Sequence, residues 1–161
     1  SGQSSARAVI GSSGGTYYFD FTAGSQSWTQ TSDIRIKRDV KTGTLGLDFI
    51  NALRPVLYKH KPRSEYPENF HEYDPDITTA SDDEYYGFIA QEVKEAMDKN
   101  DAEYFSGWSY ADTEKDKQGV GFASFVVPLV KSVQELSSEN RRLENKINDL
   151  EIFIMDKLGE K

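Results

Sequence analysis

The chain contains no cysteine and only two histidines. The absence of cysteine excludes disulfides, thiol nucleophiles and thiolate metal ligands. His60 and His71 stand apart from each other, and neither has a partner at the spacing of a zinc site. The acidic run 82–84 lacks the spacing of an EF-hand loop, and a solvated loop explains it better. We therefore expect no metal and no cofactor.

Long apolar stretches are also missing. No run reaches the roughly eighteen apolar residues of a membrane-spanning helix, and residues 1–5 do not resemble a signal peptide. We expect a soluble protein whose numbering begins inside a longer chain. Nineteen basic against twenty-seven acidic residues give 19 − 27 = −8, a net charge that discourages binding to nucleic acid or anionic membranes.

Charge is unevenly distributed along the chain. Residues 32–63 hold eight basic side chains and three acidic ones, whereas residues 64–85 hold eight acidic side chains and no Lys or Arg. Opposite blocks of this kind can pair within one fold or with a partner chain, and the acidic block can equally be a solvated loop.

Composition divides the chain into three parts. Residues 1–31 are rich in Gly, Ser and Thr with one aromatic strand candidate at 16–21, which predicts the end of a β-structured passenger. Residues 32–125 predict a small α+β globular part, and residues 126–161 predict one long helix. Within the globular part we expect a helix at 44–53, strands at 56–60 and 86–89, a helix at 90–99, and two long polar arms at 61–84 and 101–121.

The last segment has a heptad repeat of apolar residues. Its seam positions are Val126, Leu129, Val133, Leu136, Asn140, Leu143, Ile147, Leu150 and Ile154. No second heptad segment is present to pair with it, so the repeat predicts self-association through a parallel coiled coil. Branched residues at a, Leu at d and one Asn favour two chains by the simple rules.

Ser32 and Lys37 lie at the sharpest change of composition in the chain, just after Thr31. A serine becomes a nucleophile when a base takes its proton, and a lysine can do so only when it is neutral. Serine and lysine five residues apart are common by chance, so this spacing is by itself a weak indication of catalysis.

Four motifs, in this order, resemble the endosialidase-type intramolecular chaperone domain of phage tail proteins. They are Ser32-Asp33-Ile34-Arg35-Ile36-Lys37, Leu53-Arg54-Pro55-Val56-Leu57-Tyr58, Gly87-Phe88-Ile89-Ala90-Gln91-Glu92-Val93 and Val127-Pro128-Leu129-Val130-Lys131-Ser132-Val133-Gln134-Glu135-Leu136. The resemblance extends over residues 32–161. It implies a homotrimer, and therefore a trimeric coiled coil in place of the pair of chains that the heptads favour.

The resemblance also implies a self-cleaving serine endopeptidase that acts once. Ser32 would be the nucleophile, Lys37 the general base and Thr31–Ser32 the bond that is cut. Asp33, Arg35, Gln91 and Glu92 are candidate supporting residues. The chaperone would act in the host cytoplasm during phage assembly and be released, while the fibre or spike passenger stays in the virion tail. Arg38 stands where members of this family usually have an acidic or neutral residue, and this difference bears on the rate of self-cleavage.

Two alternatives remain. The chain could be a permanent trimerisation or receptor-binding tip in which Ser32 and Lys37 are inert. It could instead come from a membrane-tethered eukaryotic transcription factor that uses a similar domain to release its N-terminal portion, although the Gly/Ser/aromatic N-terminal segment is more typical of a fibre.

Overall fold

The computed structural model describes residues 7–12, 15–20 and 29–159. The chain divides into two compact units, residues 1–42 and residues 43–161. The predicted α+β class is confirmed, because short strands and helices are combined with one long C-terminal helix. The predicted domain boundaries after residues 31 and 125 stay predictions.

The first unit contains a three-stranded antiparallel sheet and a short turn. Strand β1 (Arg7–Ser12) pairs with β2 (Gly15–Asp20), which pairs with β3 (Thr29–Gln30). The predicted aromatic strand is confirmed as β2, where Tyr and Phe suit a pleated surface, and its last predicted residue, Phe21, lies outside the described residues. After β3 the chain enters a 3-10 turn at Ile34–Ile36.

The second unit begins with helix α1, which is shorter than predicted. It spans Leu47–Ala52 instead of 44–53, and Gly46 is its N-cap. Glycine is a poor helix former, so the helix starts only after it. The predicted stop before Pro55 is confirmed, since Leu53 is already extended and residues before proline avoid the helical region.

The remaining elements of the second unit are two strand pairs and two helices. Strand β4 (Val56–Tyr58) pairs antiparallel with β5 (Tyr85–Gly87), so both predicted strands exist but are three residues long. Helix α2 (Ala90–Lys99) has the predicted bounds. Strands β6 (Trp108–Asp112) and β7 (Lys117–Val120) form a second antiparallel pair.

The prediction of an arm at 101–121 is therefore wrong. This segment folds as the β6–β7 hairpin, which contacts α2, and Phe105 and Trp108 pack against the core of the same chain. Aromatic residues within the polar stretch account for the difference, because burying them stabilises the hairpin. The 61–84 excursion contains a 3-10 turn at Arg63–Glu65 and simple turns, and the prediction that it is an arm stays a prediction.

The opposite charge blocks pair in part within the chain. Lys59 Nζ lies 3.1 Å from a carboxylate oxygen of Asp82, and Lys61 Nζ lies 4.0 Å from that of Glu65. Glu72 binds Lys117 on β7 and thereby ties the excursion to the β6–β7 hairpin. Exposed ion pairs contribute only about 0–1 kcal/mol each, so these contacts orient the excursion more than they stabilise the fold.

The core of the second unit is small. Its buried side chains are Phe49, Val93, Ala96, Met97 and Phe125. Phe49 is fully buried, with its ring centre 5.1 Å from that of Phe105 and 6.4 Å from that of Phe125. Val93, Ala96 and Met97 place one face of α2 in this core, whereas Ile89, just before the helix, is 37% exposed.

Helix α3 spans Val126–Gly159 and presents two different faces. Pro128 and Ser132 are buried on the side where α1 packs. The apolar seam residues lie on another side and are exposed by 43–63%: Val126, Leu129, Val133, Leu136, Leu143, Ile147, Leu150 and Ile154. In the single chain, the predicted seam is therefore not used by the globular part.

Candidate functional site

Ser32 and Lys37 meet in the first unit. Lys37 Nζ donates a hydrogen bond to Ser32 Oγ over 2.6 Å. Both side chains are exposed, and the chain between them contains the 3-10 turn Ile34–Ile36. An amine at this distance from a hydroxyl has the geometry needed for proton transfer.

The turn is stabilised by hydrogen bonds between Asp33, which precedes it, and Arg35, which lies within it. Asp33 is its N-cap, and the Asp33 carboxylate accepts the backbone N–H of Arg35 at 2.8 Å. The Arg35 guanidinium also donates to both oxygens of this carboxylate, from Nε at 2.9 Å and from Nη2 at 2.6 Å. A bidentate contact of this kind fixes orientation as well as distance.

The electrostatics of the turn follow from this contact. Arg35 lowers the pKa of the Asp33 carboxyl through its side-chain and backbone hydrogen bonds, and Asp33 raises the pKa of the Arg35 guanidinium. Both groups are therefore charged at neutral pH. Their charges neutralise each other beside the serine–lysine pair.

Thr31 lies between β3 and the turn in irregular, exposed backbone. Its carbonyl carbon is joined to the Ser32 nitrogen, so the Ser32 hydroxyl can reach it by closing a five-membered ring. Thr31 and Ser32 are both exposed, which leaves room for such a movement.

Gln91 and Glu92 lie in the second unit, at the start of α2. Glu92 forms an ion pair with Arg54, whose Nε donates to Glu92 Oε2 at 3.1 Å, and this contact raises the pKa of Arg54. Gln91 is exposed and lines a groove of about 350 Å³ together with Tyr58, Phe88 and Phe122. Glu92 is thus engaged in joining the end of α1 to α2, whereas the Gln91 amide faces an open groove.

One residue with a clear role in the fold was missed from the sequence. Glu135 on α3 accepts the backbone N–H of Leu47 at 2.7 Å and so caps the start of α1. Gly46 leaves space for this carboxylate, since a Cβ there would collide with it. In the sequence Glu135 is one polar heptad position among many, and the contact joins residues 88 positions apart, so no local pattern indicates it.

Metal-binding clusters and membrane-spanning helices are both missing from the part of the chain that the structure describes. Within 7–12, 15–20 and 29–159, no cluster of three or more His, Asp or Glu side chains could hold a metal ion. Across those same ranges no helix is long and apolar enough to cross a membrane.

Together these features define a class: a chain with a serine–lysine pair in its first unit, and with a small α+β core and a long helix bearing exposed apolar side chains in its second. Residues 32–101 match the family described as chaperone of endosialidase, whose name also places it among the peptidases. The match supports the endosialidase chaperone family for residues 32–101, and it begins at Ser32. No curated protein and no solved structure matches the chain significantly.

Proposed function

We propose that this chain is an intramolecular chaperone that promotes trimerisation and folding of a phage tail fibre or spike and then releases itself by cutting Thr31–Ser32. The observation that carries the proposal is the hydrogen bond of 2.6 Å between Lys37 Nζ and Ser32 Oγ. The family description supports the chaperone activity, and the peptidase name supports the cleavage. The match beginning at Ser32 is consistent with a domain that starts at the cut.

The chemistry requires only the groups of the turn and water. Neutral Lys37 takes the Ser32 hydroxyl proton while Oγ bonds to the Thr31 carbonyl carbon, giving a tetrahedral intermediate. The C–N bond then breaks, and Lys37 returns the proton to the Ser32 nitrogen. This leaves an ester between Thr31 and Ser32 Oγ. Water hydrolyses the ester, producing the Thr31 carboxylate and a chain that begins with the free amine of Ser32.

Assembly would supply what the single chain lacks. Lys37 is exposed to water in the single chain, and a lysine amine acts as a base more readily where water is excluded. Packing of three chains around the turn would exclude this water and hold the Thr31 carbonyl against Ser32 Oγ. Cleavage would then occur only in correctly assembled trimers, and loss of the chaperone would make unfolding of the passenger kinetically hard to reverse.

The trimer itself is supported by helix α3. Its seam side chains are half-exposed although they are large and apolar, and the globular part covers a different face. Covering this seam with two further copies of the chain would bury apolar surface worth about 25 cal/mol per Å². The proposed release would occur in the host cytoplasm, with the passenger retained in the virion tail.

A comparison of the chain with its Ser32→Ala variant tests the proposal. Each protein is expressed, followed on a denaturing gel, and sized under native conditions. We expect the parent chain to yield a fragment whose N-terminal residue is Ser32, and the variant to stay intact with the same oligomeric state. Intact bands for both proteins would contradict the proposed self-cleavage and favour a permanent trimerisation or receptor-binding tip. If both proteins are monomers, the proposed trimerisation is contradicted.

A further inference from the structure

The contact between Ser32 and Lys37 depends on the path of the backbone between them. In an extended chain, five residues span about 16 Å, so the two side chains would lie out of each other's reach. The 3-10 turn at Ile34–Ile36 shortens this path, because its rise is only about 2.0 Å per residue. The geometry of the pair is therefore a property of the turn.

Little besides hydrogen bonds holds this turn. Its apolar side chains, Ile34 and Ile36, are 65% and 66% exposed, so burial contributes little. Two backbone bonds close it, from the Ile36 N–H to the Asp33 carbonyl at 3.2 Å and from the Lys37 N–H to the Ile34 carbonyl at 3.1 Å. The remaining three bonds all end on the Asp33 carboxylate and come from Arg35.

We propose that Asp33 and Arg35 are positioning residues for the self-cleavage: the cap and the bidentate ion pair between them hold the turn that brings Lys37 Nζ to Ser32 Oγ. This inference rests on the proposed function of the serine–lysine pair. Neither residue has to touch the Thr31 carbonyl to act in this way. The lowered pKa of Asp33 keeps the carboxylate ionised, and the contact intact, well into mildly acidic solution.

Three substitutions separate the two contacts. Asp33→Ala removes both the cap and the ion pair, and we expect cleavage to slow about tenfold, the effect of losing one good N-cap. Asp33→Asn keeps an oxygen that can accept the Arg35 N–H, so the rate should recover to within about threefold of the parent. Arg35→Ala likewise keeps the cap and loses the ion pair, so its rate should be close to that of Asp33→Asn.

Asp39→Asn is the matched control. It removes one carboxylate from the same segment, with the same change of net charge as the substitutions of Asp33. Among the residues that the structure describes, the only ion pair of Asp39 is with Arg38, at 3.7 Å. Asn also accepts the left-handed backbone of this position, where φ is 52°. We expect its cleavage rate to equal that of the parent chain.

A pH profile of the cleavage rate distinguishes positioning from a change of charge or of fold. A positioning residue lowers the rate by the same factor at every pH, whereas a residue that acts through its charge moves the pH of half-maximal rate. Each variant is also sized under native conditions. Rates are compared only among proteins with the same oligomeric state as the parent chain, so that differences in assembly do not affect the comparison. A uniform reduction in Asp33→Ala with partial rescue in Asp33→Asn supports the inference.

Three results would overturn it. Parental cleavage by Asp33→Ala would show that the turn forms without the clamp. An equal loss in Asp39→Asn would assign the effect to charge alone, and so would a shifted pH profile in Asp33→Ala. If the parent chain itself is not cut, or if Ser32→Ala is cut, the proposed function fails. The parent and Ser32→Ala samples show that failure, whereas the Asp33 and Arg35 variants test the positioning role.

Discussion

The serine–lysine turn and the α1–α3 contact are built in opposite ways. The turn joins side chains five residues apart, is exposed except for the half-buried Asp33, and depends on hydrogen bonds made within six consecutive residues. The α1–α3 contact joins Leu47 to Glu135, 88 residues along the chain, and lies beside the buried core around Phe49. One region can form as soon as its residues are synthesised, whereas the other needs the whole second unit.

This difference bears on the timing of the proposed cleavage. If a serine–lysine pair at hydrogen-bond distance were sufficient, the chain would cut itself before its second unit and its seam had folded. A chaperone that left so early could not help its passenger. Under the proposed function, the turn would therefore bring the pair together without activating it, and the trimer would supply the exclusion of water and the alignment of the Thr31 carbonyl.

The largest effect is expected at the pair itself. Lys37→Met keeps a long unbranched side chain but removes the amine, and cleavage should slow by about 10²–10⁴-fold, the range of general-base catalysis. Lys41→Met is the control, because Lys41 is an exposed lysine of the same unit outside the turn. The rate is followed by the loss of full-length chain on denaturing gels. Parental cleavage in Lys37→Met would mean that Ser32 has another base.

The next effect concerns the core. Phe49 is fully buried against Phe105 and Phe125, so Phe49→Ala should lower the free energy of unfolding by about 3–5 kcal/mol. Tyr86→Ala removes an aromatic side chain that is 83% exposed, and it should change the free energy of unfolding by less than about 0.5 kcal/mol. Urea unfolding followed by circular dichroism measures both.

The same two variants test the comparison of the regions. If cleavage needs an assembled second unit, Phe49→Ala should cut more slowly under conditions where part of it is unfolded, although the turn is untouched. Undiminished cleavage by a largely unfolded Phe49→Ala chain would show that the turn works alone and that assembly does not control it.

The seam is the third test. Leu143 and Ile152 are both exposed in the single chain, by 43% and 68%, but only Leu143 belongs to the heptad seam. If the seam is buried between chains, Leu143→Ala should destabilise the assembly by about 2–5 kcal/mol per chain, whereas Ile152→Ala should have little effect. Analytical ultracentrifugation over a range of concentrations measures the dissociation. Equal behaviour of the two variants would contradict the proposed seam, and a dimer would favour the heptad rules over the family.

Sequence patterns predicted the elements that depend on local signals. Helix α2 has its predicted bounds because apolar residues recur at helical spacing, and α1 stops before Pro55 as expected. The β6–β7 hairpin was missed because Trp108 and Phe105 are surrounded by polar residues, and only the core they pack against reveals their role. For the site, residues 32–37 could be chosen from the motif. The clamp between Asp33 and Arg35 could not, because it depends on a carboxylate folding back onto the backbone two residues later.

The smallest effect is expected where α3 caps α1. The N–H of Leu47 and, to a lesser degree, Lys131 lower the pKa of the Glu135 carboxyl below its ordinary value of 4.5. A carboxyl whose pKa is lower in the folded state stabilises the fold above its unfolded pKa, and this contribution is lost as the pH falls through the folded one. The parent chain should therefore lose stability as the pH falls below about 4.5, and Glu135→Gln should lose less over the same range.

Melting temperatures of the two proteins from neutral pH down to about pH 3 measure this difference, since that range extends below the ordinary carboxyl pKa. Glu151→Gln is a suitable control, because this glutamate is exposed near the end of α3 and makes no ion pair with any residue the structure describes. Parallel curves for the parent and Glu135→Gln would show that the charge of Glu135 contributes nothing to stability. A smaller acid loss in Glu135→Gln alone would establish that α3 fixes the start of α1 through a charge. The folding of α1 would then be coupled to that of α3 across 88 residues, whereas the turn at Ser32 depends on contacts within six residues.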